Sequence, residues 1–205
     1  MALTYERRVL GPSEGSAGFL GSIGVRFMVN GETTGEGFAL VEHPMSARAL
    51  AAPLHRHNRE DEYSYVVTGR MGALLGDEVL EAGPGDLVFK PRGEWHTFWN
   101  AGDEPCRILE IIAPAGFERF FAELVEIGGV GQAEPEVLGG LCERYALEMD
   151  PSTVPDLVQR FGLRFPGDPL GSLTGRLAPS SGGNAQSGMR SRRGFTPAFT
   201  PGHTR

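Results

Sequence analysis

Cysteine is scarce in this chain. Cys106 and Cys142 are the two present in 205 residues, and they form no CxxC pair. That usage fits a reduced, cytoplasmic compartment, with both residues as ordinary thiols. Long apolar runs are missing too, and no stretch approaches the roughly 18 to 20 residues of a membrane span. Glu6, Arg7 and Arg8 follow Met1 with no apolar run behind them, so no signal peptide and no membrane partner are expected. Acidic residues are absent from Pro169 to Arg205, which hold five arginines; with a net charge of -7 overall, the rest of the chain carries -12. An acidic body disfavours phosphate backbones, so no nucleic-acid partner is expected, and the basic end reads as a flexible tail. There is no Gly-rich phosphate loop and no G-x-S-x-G elbow.

Turn formers are abundant. Thirty glycines and fifteen prolines make about 22% of the chain, which implies many turns and short strands. After an irregular segment, residues 1–24, runs at Val25–Val29 and Gly37–Glu42 read as strands. Asn30-Gly31 between them signals a hairpin. Predicted strands then follow at Leu54–His57, Tyr63–Thr68, Met71–Leu75, Glu78–Leu80, Asp86–Lys90, Trp95–Asn100 and Arg107–Ile112. Short strands with a turn every eight to twelve residues mean a sandwich or barrel, placed at residues 25–113. The period then changes. Phe117, Phe120, Phe121, Leu124 and Val125 share one face of a helix. Val137 to Tyr145 and Val154 to Phe161 give two more, completing a helical extension over residues 114–165. The Gly/Ser/Pro/Arg-rich tail, residues 166–205, is expected to be disordered.

Three of the five histidines stand in one interval with a glutamate: His55, His57, Glu62 and His96. His55 and His57 are two apart on a predicted strand, so both face one side. Glu62 begins the next strand, and His96 opens another. Strands closed into one barrel would bring all four together. Imidazole with carboxylate suits one divalent transition metal: Fe, Mn, Ni, Co, Cu or Zn. Four protein ligands leave one or two positions open on a five- or six-coordinate ion, which is a catalytic arrangement.

The full pattern is H-x-H-x4-E-x6-G over His55 to Gly69, then G-x5-P-x-G-x2-H-x3-N over Gly85 to Asn100. In PLHRHNREDEYSYVVTG (53–69) and GDLVFKPRGEWHTFWN (85–100) the chain resembles the cupin superfamily. It departs at Ala49, where a turn glycine is usual. The resemblance implies a mainly β, jelly-roll-like double-stranded β-helix barrel and the metal ligands His55, His57, Glu62 and His96. The whole chain, including the PAGFERFF segment (114–121), is similar to bacterial quercetin dioxygenase-like cupins. That likeness implies an oxygenase in which Glu62 is both ligand and catalytic proton acceptor, with O2 and a small molecule as substrates and a homodimer as the assembly.

Strand alternation from the ligands predicts the substrate pocket. Phe98 shares the face of His96, Ser64 and Val66 share that of Glu62, and Phe89 is taken with Leu87 as the inward face of its strand. Largely apolar walls suit an aromatic or enolisable substrate. Tyr63, Tyr65, Trp95 and Trp99 would face the other way. Two further readings stay open: a non-redox metal-dependent isomerase or cyclase, and a non-catalytic small-ligand-binding cupin.

Overall fold

The computed structural model describes residues 9–166. Most of the expected tail, from residue 167 onward, lies outside the described residues. The chain runs through β1 (Ala17–Phe19), β2 (Gly24–Val29), α1 (Gly31–Thr34), β3 (Ala39–Met45), β4 (Leu54–His57), β5 (Asp61–Thr68), β6 (Met71–Leu75), β7 (Glu78–Ala82), β8 (Leu87–Lys90), β9 (His96–Asn100) and β10 (Cys106–Ala113). Then come α2 (Glu118–Ile127), α3 (Pro135–Arg144), β11 (Leu147–Asp150), a 3-10 turn at Pro151–Thr153 and α4 (Val154–Phe161). Two antiparallel sheets face each other, in the orders β1-β2-β3-β10-β5-β8 and β11-β4-β9-β6-β7. This is a jelly-roll barrel with helices packed at its side.

Three local differences from the sequence pattern have physical causes. Ala17–Phe19, in the stretch expected to be irregular, pairs with β2 through residues too few to show a period. The Asn30-Gly31 hairpin forms, but with a single helical turn as its connection. Asn30 caps that turn, its side chain accepting from the Thr33 N–H at 3.1 Å. Leu147–Asp150, inside the expected helical extension, is a strand along β4. Ala146, in left-handed backbone at φ 51°, turns the chain out of α3 into it.

The interior alternates as strands require. Val41, Met45, Val66, Met71, Val88, Ile108 and Ile112 fill the space between the sheets, and Phe117, Phe120 and Leu124 of α2 close one side. A second cluster, Leu50, Trp99, Ala101, Leu157 and Leu163, pins α4 to the outside of β9, with Phe161 stacked on Trp99 at 4.4 Å between centroids. Gly72 makes room for that indole, since a Cβ there would lie 2.2 Å from Trp99 Nε1. Gly69 turns β5 into β6 at φ 82°, pressed against Cys106.

No helix among the described residues is long and apolar enough to cross a membrane. Both cysteines are free, Cys106 buried and Cys142 half-buried.

Candidate metal centre

Two motif segments are tied together before any ligand is considered. The Pro91–Gly93 turn is held to the strand ahead of Glu62 by Arg92. Its guanidinium meets both Asp61 oxygens, at 3.1 and 2.8 Å, and its backbone N–H donates to Asp61 at 2.9 Å. Gly93 N–H donates to the His57 carbonyl at 2.7 Å. The turn thus delivers His96 beside β4, where His55 and His96 are paired across the ladder.

His55, His57, Glu62 and His96 converge there, all buried, with one candidate ligand atom from each lying within 4.8 Å of the others. Coordination bonds of about 2.0–2.2 Å nearly span that spread. His57 Nε2 and His96 Nε2 lie 3.5 Å from Glu62 Oε1 and Oε2 respectively. The Nδ1 atoms of His55 and His96 face the carbonyls of Pro53 and Glu94 at 2.8 and 3.0 Å. A carbonyl can only accept, so each ring carries its proton on Nδ1 and presents the Nε2 lone pair. His57 Nε2 and His96 Nε2 are buried without a hydrogen-bond partner. Buried polar atoms are rarely left so, and these are the donor atoms an ion would take up. The cluster could hold a divalent metal ion.

The electrostatics favour neutral rings at His55 and His57. Burial, then the neighbouring His96 and His57, holds His55 well below its usual range, and burial lowers His57 to about 4. Burial pushes Glu62 upward, but His57, Lys90 and His96 outweigh it and hold the carboxyl well below the usual carboxylate range. His55, His57 and Glu62 are therefore deprotonated at neutral pH, as metal binding requires.

Behind the cluster lies a network that sequence reasoning missed. Lys90, 1% exposed, places its Nζ 2.8 Å from Glu62 Oε2, 3.0 Å from Glu110 Oε2 and 4.5 Å from the Phe98 ring centroid. Ser64 Oγ donates to Glu110. Burial drives Glu110 up to about 7, against the pull of Lys90.

The expected inward face of β8 is corrected by its register. Glu62 lies opposite Lys90 and Ser64 opposite Val88, so the inward face of β8 carries Val88 and Lys90. Phe89 is on the outside, 47% exposed and stacked on Tyr63. Hydrophobicity alone favours Leu87 and Phe89 as the inward pair, and nothing in the local pattern marks a buried lysine.

A cavity of about 60 Å³ opens beside the cluster. Phe98 lines it, with His43, Glu110, Phe117, Phe120 and Phe121. Ser64 and Val66 are buried inside the barrel but take no part in the wall. His43 holds its Nδ1 2.9 Å from the Gly24 carbonyl, and burial lowers its pKa to about 4. Phe117 and Phe121 come from the helix predicted by its period; their inward reach has no sequence signal.

Over 66 residues the chain is 32% identical to an uncharacterized protein of Methanocaldococcus jannaschii, across 32% of this chain and 50% of that one. The chain thus spans about half the length of this curated relative. Among solved structures it is similar to the polyketide cyclase RemF of Streptomyces resistomycificus, with 30% identity over 54% of this chain and 80% of that one, at a TM-score of 0.47. It is also similar to an RmlC-like cupin of Shewanella frigidimarina, with 16% identity over 56% and 96% of the two chains, at a TM-score of 0.47. Residues 45–112, which contain all four candidate ligands, match the family model described as Cupin domain.

Proposed function

We propose that the chain is a metal-dependent enzyme acting on a small aromatic or enolisable substrate, with a quercetin dioxygenase-like oxygenase as the leading reading. The observation that carries it is the convergence of His55, His57, Glu62 and His96 on one point, with unpartnered Nε2 atoms, at the end of an aromatic-walled cavity. A bound transition metal would supply Lewis acidity and, if redox-active, a site for O2.

This chain's own residues would do the rest. Phe98, Phe117, Phe120 and Phe121 would grip a flat apolar body and exclude water. A cavity of about 60 Å³ has room for only a few waters, so a flat substrate would enter by spreading those rings apart and be held between them. The sequence expectation gives Glu62 the roles of ligand and base. With Lys90 on Oε2, its low pKa suits the ligand role. Glu110, on the cavity wall with a pKa near 7, is better matched to accept a proton.

That same feature favours a second reading, a non-redox isomerase or cyclase, because a carboxyl titrating near neutrality serves proton transfer without O2. We also propose a cytoplasmic location, on the two free thiols, and a homodimer formed through the exposed apolar face of β8 and β5.

The test is elemental analysis of protein purified without added metal or metal-affinity resin, beside His55→Ala/His96→Ala. Near-stoichiometric Fe, Mn, Ni, Co or Cu, lost in the variant, is expected, followed by O2 uptake with flavonols or other enolised aromatics. Stoichiometric Zn and O2-independent turnover would move the assignment to the isomerase or cyclase. Absence of metal, even after reconstitution, would leave a ligand-binding module.

A further inference from the structure

We propose that Lys90 is a positioning residue for the metal centre: its ammonium reserves one oxygen of Glu62, and Glu110 holds that ammonium back from the ion. The inference rests on the metal-centre reading above and concerns how this chain sets the strength and shape of that site.

The geometry points to it directly. Lys90 and Glu62 face each other across β5 and β8, and Ser64 and Glu110 face each other across β5 and β10. The four side chains form a continuous chain inside the barrel. Glu62 Oε2 meets Lys90 Nζ, which meets Glu110 Oε2, which accepts from Ser64 Oγ. An ammonium buried this deeply is costly unless fully paired, and its partners here are two carboxylates and the Phe98 ring. Of the two carboxylates, one belongs to the ligand cluster and the other does not.

This division has a chemical consequence. Glu62 Oε1 faces His57 Nε2 and Oε2 faces His96 Nε2, each at 3.5 Å, but only Oε2 also carries the ammonium, at 2.8 Å. The lysine takes one of the two lone pairs of Oε2 and weakens it as a donor, so Oε1 is the oxygen better placed to serve the ion. The ammonium also competes with a dication for the same carboxylate. Glu110 moderates that competition by drawing Lys90 the other way. Removing Lys90 together with Glu110 should free Glu62, whereas removing Glu110 alone should pull Lys90 more firmly onto it. The two changes should move metal affinity in opposite directions, which a merely structural role does not produce.

The experiment uses full-length protein stripped with a chelator and titrated with Co(II). Affinity is read by chelator competition, and coordination by the visible absorption bands. Lys90→Met/Glu110→Gln is expected to bind Co(II) at least tenfold more tightly, with a changed band intensity. Glu110→Gln, which keeps the Lys90–Glu62 pair and remains informative if the double variant does not fold, is expected to bind several-fold more weakly. Repeating each change on a Glu62→Gln background should abolish the spectral difference. Persistence of that difference would show a general charge effect and overturn the proposal. If wild type binds one Co(II) and both variants match it in affinity and spectrum, the role of Lys90 is overturned and the metal site stands. If wild type takes up no Co(II), the metal reading falls, and this inference with it.

Discussion

The phenyl ring of Phe117 meets the imidazole of His57 edge to face, with centroids 4.2 Å apart. The start of α2 therefore sits directly on the histidine–glutamate cluster. Glu118, next in sequence and buried, fixes that turn by accepting from the Gly31 N–H at 3.0 Å. Phe117→Ala should cost about 3–5 kcal/mol of stability, the range for deleting a buried phenyl. It should also expose His57, read as faster modification of that residue by diethyl pyrocarbonate. Unchanged His57 reactivity in a folded variant would show that Phe117 does not cover the site.

His43 makes stability depend on pH in a defined window. Its pKa falls from 6.5 to about 4 on burial in the fold. Above pH 6.5 the ring is neutral in both folded and unfolded states and contributes no dependence. As pH drops from 6.5 toward 4, the unfolded chain takes up a proton that the folded one refuses, so stability is lost. Between pH 7 and pH 5 the effect is about 2 kcal/mol. The stability difference between wild type and His43→Gln in urea should therefore shift by that amount in favour of the variant at pH 5. A gap that stays constant with pH would contradict the buried, neutral ring.

Glycine substitutions should split by surroundings. At Gly72 a Cβ would collide with Trp99, and overpacking of this kind costs about 1–3 kcal/mol. Gly72→Ala should lower the urea midpoint and alter tryptophan fluorescence. At Gly140, inside α3, a Cβ meets nothing within 4 Å. Gly140→Ala should stabilise by about 0.5–1 kcal/mol through helix propensity. Equal effects at the two sites would refute this account of the packing.

Leu87, Phe89 and Tyr65 are exposed on the outer face of β8, at the edge of its sheet, and of its neighbour β5. An exposed apolar strand at a sheet edge is a surface that associates unless protected. If a second copy covers it, Leu87→Ser/Phe89→Ser should convert a dimer to a monomer in sedimentation equilibrium. A wild-type monomer at high concentration would remove the proposed homodimer.

The cluster of His55, His57, Glu62 and His96 was legible because its spacing is set by the strands themselves. His55 and His57 share a face by alternation, and the Pro91–Gly93 turn fixes where His96 emerges. The strand limits of β4 and β6 follow the turn residues closely for the same reason. Lys90 was not legible. The side a strand turns inward is decided by its partner, and the Glu62–Lys90 pairing joins segments separated by two other strands. Glu110 and His43 fall under the same rule, being brought to the cavity by β10 and β3. Among apolar residues, Phe89 shows the converse error: hydrophobicity placed it inside, and register puts it out.

β11 carries a consequence for how this protein can be divided. The strand bearing His55 and His57 completes its ladder on one side only with residues 147–150, Leu147 opposite His57 and Met149 opposite His55. The segment that matches the family ends at residue 112. An excised piece with those limits would turn the histidine strand into a raw border, free to recruit any extended peptide it met. The stretch by which the barrel is classified is thus shorter than the stretch that can stand alone. Grafting this centre into another scaffold would require carrying the distant four-residue strand along with it.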